Sequence, residues 1–271
     1  MNFLDAAILG ALQGITEFLP ISSSGHLILA EKFLNLDVES LKTFDVMLNL
    51  GTLLAVLIYF WAEVKGMVVA LWKFVTRKLP SNDPYAKLIM FLILGTIPAV
   101  VFGLFGDTID SYFRNAKSVT VMMLVVACVF IGAEFFYKKV KIKKQEVGTW
   151  KQALIIGIAQ SMALIPGISR SGSTIVAGLF QGIERENVAK FSFLLSIPAV
   201  CGALTLTTIK ILKHGTVDVE MGPLFVGFLT SFIFGILSVA FLMKFLKKHS
   251  LGVFAAYRII FAIILSMILW K

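Results

Sequence analysis

Residues 10–26 read GALQGITEFLPISSSGH, and residues 157–173 read GIAQSMALIPGISRSGS. At a shift of 147 positions, Gly10, Gln13, Ile21, Ser22, Ser24 and Gly25 fall on Gly157, Gln160, Ile168, Ser169, Ser171 and Gly172. The same shift lays Phe44 on Phe191, Leu48 on Leu195 and Leu57 on Leu204. Apolar matches are cheap in an apolar chain. Polar and glycine matches at one fixed offset are not, and they point to a duplicated unit. In each copy an apolar helical run (5–18 and 152–165) is interrupted, first by Pro20, Ser22–Ser24 and Gly25, then by Pro166–Gly172. A second short apolar run follows, at 27–34 and 174–183. Neither run is long enough to cross roughly 30 Å of hydrocarbon. Broken helices are tolerated at membrane depth where the freed backbone faces protein or a water-filled cavity. Each copy therefore reads as a re-entrant helical hairpin, with an ordinary kinked span as the alternative.

The rest of the chain sets this pair in a membrane. Of 271 residues, 58% are hydrophobic and 15% charged, with a mean hydropathy of +0.89, whereas a soluble domain is about half apolar. Apolar runs at 46–61, 88–106, 119–137, 191–209, 224–243 and 251–270 are each of spanning length. The prediction is an all-α polytopic membrane protein, one integral domain over 1–271. Repeat 1 (1–140) and repeat 2 (148–271) would each hold one re-entrant hairpin and three transmembrane helices.

Three crossings are odd, so the second repeat is expected upside down relative to the first. Lysine and arginine agree. Lys65, Lys73, Arg77, Lys78 and Lys87 occupy one connection; Lys138, Lys139, Lys141, Lys143, Lys144 and Lys151 a second; Lys244, Lys247 and Lys248 a third. Short basic loops mark the cytoplasmic side. That puts 62–87, 138–151 and 244–250 inside, and 107–117, 211–221 and both termini outside. The hairpins then enter from opposite faces and their tips meet near the midplane, a known way to build a site. Anionic cytoplasmic lipid accounts for the net charge of +9 without any nucleic acid. Met1–Asp5 shows no basic region and no cleavage site, so no removable signal peptide is expected. Cys128 and Cys201 lie in apolar runs and read as reduced thiols.

The polar residues at the tips carry the chemistry. A lone carboxylate at the bilayer centre costs about 2.5–3.5 kcal/mol on insertion scales, so Glu17 needs a partner or a function. Gln13 lies one turn earlier on the same face. Two oxygen-bearing side chains at this spacing suit a hard cation, Mg²⁺ or Ca²⁺; the alternative is Glu17 paired with Arg170 and no metal. Arg170 is the fixed positive charge of the second tip, and its planar fork matches phosphate oxygens. Ser169, Ser171, Ser173 and Thr174 surround it, at a helix start where free N–H groups favour anions. In the first tip, Ser22, Ser23 and Ser24 stand beside His26. A serine next to an imidazole can be an activated nucleophile. The histidine can equally be the nucleophile, or the acid for a leaving oxygen. Together these groups point to phosphoryl transfer on a lipid phosphate, whose tail can lie in the bilayer. Beyond the tips, Asp45 and Asn49 share a face and are either site-lining or structural. Arg258, beside Tyr257, reads as a structural residue holding the last span, and Glu134 as an interface residue paired with lysine.

QGITEFLPISSSGH and PGISRSGST resemble the two signatures of the undecaprenyl-pyrophosphate phosphatase family, also called bacitracin-resistance proteins. Gln13, Glu17, Ser22, Ser23 and His26 fill the first signature, and Pro166 to Ser171 the second. The likeness runs along the chain, through TFDVMLNLG after the first hairpin and FSFLLSIPA after the second. It implies a fold of ten helical segments, six of them spanning. It implies hydrolysis of the terminal phosphate of a long-chain prenyl diphosphate, undecaprenyl diphosphate, at the outer face of the bacterial inner membrane, regenerating the lipid carrier for cell-wall synthesis. By this resemblance Gln13 and Glu17 bind metal or steer protons, Ser23 is the nucleophile, Arg170 holds the phosphate and His26 transfers protons. The family's first position takes Glu or Gln. Here it is Gln13, an amide that cannot act as a base, so Glu17 is the only carboxylate of the motif. The rival reading is a secondary transporter or flippase for a phosphorylated lipid, which an inverted repeat fits equally well. Its clamp would need Arg170 but no serine–histidine–glutamate set. Membrane lipids surround the chain in either case, and both readings are compatible with an oligomer.

Overall fold

The computed structural model describes residues 1–37, 41–139, 146–214 and 220–269. Its elements are helices: α1 (Phe3–Phe18), α2 (Ser23–Phe33), α3 (Lys42–Tyr59), α4 (Trp61–Val75), α5 (Pro84–Gly103), α6 (Gly106–Phe113), α7 (Ala116–Tyr137), α8 (Trp150–Met162), α9 (Arg170–Phe180), α10 (Arg185–His214), α11 (Met221–Leu246) and α12 (Gly252–Leu269). The chain signals where they start. Asn2 and Asp5 form a reciprocal cap on α1, Thr149 and Gln152 do the same on α8, and Asp83 caps α5 ahead of Pro84 at its first turn.

Among the described residues, α5, α7, α10, α11 and α12 are long and apolar enough to cross a membrane, and α3 with α4 makes a sixth crossing if the bent pair is one span. The chain is a polytopic helical membrane protein. Two elements depart from expectation. The stretch 62–87 is not simply a loop: α4 follows α3 after Phe60 at an angle of 84°, so Lys65 and Lys73 ride on a helix. No proline or glycine marks that turn. Within 107–117 the chain forms the short helix α6, so the fold has twelve described helices rather than ten. Lys141, Lys143 and Lys144 of the second basic loop, and 215–219 of the expected outer loop, lie outside the described residues.

α2 and α9 begin and end 147 residues apart. The packing has the same duplicate logic. α1 lies along α11, and α8 along α5; α3 packs on α11 and on α10, α10 on α5, and α7 on α12. Exchanging α1 with α8, α3 with α10, α5 with α11 and α7 with α12 reproduces this set. Each hairpin is thus held by a span from the other half. The repeated glycine is the contact point. A methyl group at Gly10 would overlap the Gly227 carbonyl of α11, and one at Gly157 the Gly95 carbonyl of α5. Small residues let membrane helices approach this closely. Serines of α11 add bonds to two helices: Ser238 donates to the Ile15 carbonyl of α1 at 2.8 Å, and Ser231 to the Leu48 carbonyl of α3 at 2.9 Å.

Glu134 does not pair with lysine. It is buried, takes the Arg185 guanidinium and accepts the Leu251 N–H at 2.8 Å. A fixed carboxylate at this depth serves better as a tie between α7, α10 and the start of α12 than as a surface partner. Cys128 and Cys201 are free thiols on exposed faces.

Candidate active site

The two helix breaks define the site. In the first, Ser22 adopts φ +75° and its hydroxyl accepts the Gly25 N–H at 3.3 Å, capping α2. A non-glycine residue in that region stores about 1–3 kcal/mol of strain, which the surrounding packing must hold. In the second, Gly167 takes φ +98° at no steric cost, and Ser169 caps α9 through the Gly172 N–H at 3.1 Å. The breaks touch. Ser171 donates across to the Leu19 carbonyl at 3.3 Å, and a Cβ on Gly25 would lie 3.6 Å from the Gly167 Cα.

Glu17 is the hub. Its Oε1 meets the Arg170 guanidinium at 2.7 Å. Its Oε2 accepts from the Ser23 hydroxyl at 2.6 Å and the Gln13 amide at 3.1 Å. The Gln13 amide also donates to Asn49 Oδ1 at 2.9 Å, and Asn49 donates in turn to the Asp45 carbonyl at 2.9 Å. Arg170 has a second bond, to the Ser192 carbonyl at 3.2 Å. Five helices therefore converge: α1, α2, α3, α9 and α10. The Arg170 and Glu17 side chains are 15% and 11% exposed. They are sheltered enough to strengthen the electrostatics and open enough to be reached.

The serines divide by what they hold. Ser23, Ser24 and Ser173 are partly exposed; Ser23 bonds Glu17, Ser173 donates to the Arg170 carbonyl at 3.0 Å, and the Ser24 hydroxyl lies 3.5 Å from that of Ser22. Ser22, Ser169, Ser171 and Thr174 are buried. Their hydroxyls bind backbone at the breaks or other buried hydroxyls, as in Thr174 with Ser192 at 2.6 Å and Ser169 with Ser171 at 3.0 Å. His26 is not brought to Glu17, Ser23 or Arg170. It is buried, with Nδ1 2.7 Å from the Ser22 carbonyl and Nε2 2.8 Å from the Tyr257 hydroxyl. Phe261 stacks on its ring at 4.8 Å.

Asn49, Ser192 and Tyr257 are contacts of the site that the motifs do not include. The repeat shift points to two of them, since it lays Asp45 on Ser192 and Asn49 on Ser196. Asp45 itself turns away to an ion pair with Arg114 at 2.6 Å. For a cation, the site offers one carboxylate (Glu17) and two amide side chains (Gln13, Asn49). Among the described residues no cluster of three histidine, cysteine, aspartate or glutamate side chains forms. This all-oxygen set fits only a hard cation that keeps most of its ligands from water or substrate.

Such a fold and site define a class: a polytopic membrane protein in which two broken helices set a guanidinium, a carboxylate and a hydroxyl against one another. The family is narrower. The sequence profile of the bacitracin resistance protein BacA family matches residues 6–264, and the chain belongs to that family. It is 42% identical over 274 residues to the undecaprenyl-diphosphatase of Methanosphaera stadtmanae, with 97% of each chain covered. It is 43% identical over 268 residues to that of Geotalea daltonii, covering 96% of this chain and 95% of the relative. With that of Rubrobacter xylanophilus it shares 39% over 272 residues, 99% of both chains.

Proposed function

We propose that this chain is an undecaprenyl-diphosphatase, which removes the terminal phosphate of a long-chain prenyl diphosphate and so recycles the lipid carrier for peptidoglycan synthesis. One observation carries this reading: Ser23 and Arg170 both bond Glu17, at 2.6 and 2.7 Å. In the proposed reaction Arg170 turns its fork to the terminal phosphate. Glu17, freed of that contact, takes the Ser23 proton while Ser23 Oγ attacks phosphorus. The bond to the bridging oxygen breaks and prenyl phosphate leaves, taking that proton from Glu17. Water, deprotonated by the carboxylate so restored, then attacks phosphorus, and Ser23 Oγ leaves with the proton from Glu17 as phosphate is released. The positive ends of α2 and α9 would favour the developing negative charge. His26 stands one bond removed, fixing the Ser22 carbonyl. Gln13, Glu17 and Asn49 would hold a Mg²⁺ or Ca²⁺, with the Gln13 amide turned to present its oxygen. A bound cation would neutralise charge on the phosphate oxygens.

The proposal includes a bacterial plasma-membrane location, an inverted repeat and a site open to the outer face. The basic connections support that sidedness. In a variant lacking Cys128 and Cys201, Ser111→Cys should label with an impermeant thiol reagent in intact cells and Ser81→Cys should not. The reaction is tested with purified protein in detergent, long-chain prenyl diphosphate, and phosphate detection with and without chelator. Phosphate release lost in Ser23→Ala supports it. Movement of the lipid across a vesicle membrane without phosphate release would establish the transporter reading instead.

A further inference from the structure

We propose that Arg258 is a positioning residue: its guanidinium clasps the broken ends of both hairpins and fixes the spacing between Ser23 and Arg170. The inference rests on the phosphatase reading for its activity readout alone. Arg258 lies on α12 and is 0% exposed. Among the described residues no carboxylate pairs with it. Instead its donors reach three backbone carbonyls: Nη1 to Pro20 at 3.3 Å, Nη2 to Gly167 at 2.6 Å and Nε to Met123 at 3.3 Å. The Phe130 ring lies 5.6 Å from the guanidinium carbon.

Two of those carbonyls are not an arbitrary pair. Pro20 and Gly167 are equivalent at the shift of 147 residues. Both sit in helix breaks, where a carbonyl has lost its intrahelical partner and would be costly to leave unpaired in a membrane. Only a planar fork of donors can serve two such groups from opposite sides at once. The lever arms also match: Ser23 lies three residues beyond Pro20, and Arg170 three beyond Gly167. Whatever fixes the distance between the two carbonyls fixes the distance between the hydroxyl and the guanidinium. The neighbouring residue acts on the same break, since Tyr257 holds His26, and His26 holds the Ser22 carbonyl. α12 therefore behaves as a staple across the two tips, although among the described residues no bond joins it to Glu17, Ser23 or Arg170.

The test compares full-length wild type, Arg258→Lys and Arg258→Met in detergent, each taken as the folded fraction from size exclusion. Two readouts are needed: kcat and KM for long-chain prenyl diphosphate, and amide hydrogen exchange followed peptide by peptide. A lysine's donors all sit on one nitrogen and cannot span carbonyls on opposite sides as the guanidinium fork does. Arg258→Lys should therefore lower kcat about 100-fold, as a misplacement near 1 Å does, with KM changed less than about threefold. Exchange should quicken in peptides covering 19–24 and 166–171 together, with α5 and α11 unchanged. Arg258→Met should behave in the same way or worse. A lysine variant with wild-type kcat overturns the proposal, as does exchange that quickens at one tip only or throughout the protein. If wild type itself releases no phosphate, the phosphatase reading falls, and the exchange comparison alone decides the clasp.

Discussion

The two hairpins share a frame and divide a chemistry. Positions that build the frame are the same in both: Gly10 and Gly157 at the close helix contacts, Ser22 and Ser169 as caps. Positions that face the site differ: Glu17 stands over Leu164 and Ser23 over Arg170. One tip thus presents a carboxylate and a hydroxyl, the other a guanidinium. A pair of identical tips would set like against like, two carboxylates or two guanidiniums in one cavity. The comparison teaches that a duplicated scaffold becomes a site by diverging at few positions while the residues that shape the backbone stay put. Gln13 and Gln160 show what is left behind. Gln13 bonds Glu17 and Asn49. Gln160 is buried with neither amide atom bonded to any described residue, because Leu164 and Ser196 stand where Glu17 and Asn49 stand in the other half.

The comparison can be broken most directly at Arg170. Its fork spans Glu17 and the Ser192 carbonyl, which an ammonium cannot do. Arg170→Lys is expected to lose phosphate release by orders of magnitude, nearly as much as Arg170→Ala. Lysine restoring most of the rate would show that the second tip supplies only charge. Next comes the contrast of adjacent serines. Ser23→Ala should lower kcat by orders of magnitude, since the nucleophile itself is lost, with little change in Tm. Ser22→Ala should instead cost about 0.5–2 kcal/mol of stability, the loss of a cap, with a smaller effect on kcat. Near-normal turnover in Ser23→Ala would pass the nucleophile's role to His26 or to a water held by Glu17.

The smallest effect sharpens the frame-versus-chemistry division. Gln160→Leu removes a buried amide without a described partner and should raise stability by about 1–3 kcal/mol with unchanged phosphate release. Gln13→Leu should do the opposite, lowering activity. Thermal melts and initial rates on the two variants decide it. A destabilised Gln160→Leu would mean that the second amide still holds something, such as a bridging water.

How much of this was legible follows from what leaves a mark on residue identity. α5, α7, α10, α11 and α12 were readable because a lone helix in lipid must be apolar along its whole length. α4 was not, because the 84° turn at Phe60 has no proline or glycine, and Lys65 and Lys73 within α4 read as a basic connection. Glu17, Ser23 and Arg170 stood out because polar groups at membrane depth need a reason. Ser192 did not, since it reaches Arg170 by a backbone carbonyl that any residue would supply. Tyr257 is 231 residues from His26, and no local pattern joins them. The same holds for Arg258, legible as a buried cation but not as a tie between two breaks.

The seam between α1 and α11 has a consequence in time. α1 ends at Phe18, and the helix it lies along ends at Leu246. At roughly 5–20 residues per second, synthesis takes on the order of 10–45 s to supply that partner. Throughout that interval the first hairpin has no α11 to close against, and Glu17 is without Arg170 for much of it. Contacts this distant in sequence are slow to form for entropic reasons as well. α1 is therefore made long before it can be packed, and during assembly it depends on the insertion machinery or neighbouring lipid for what α11 later provides.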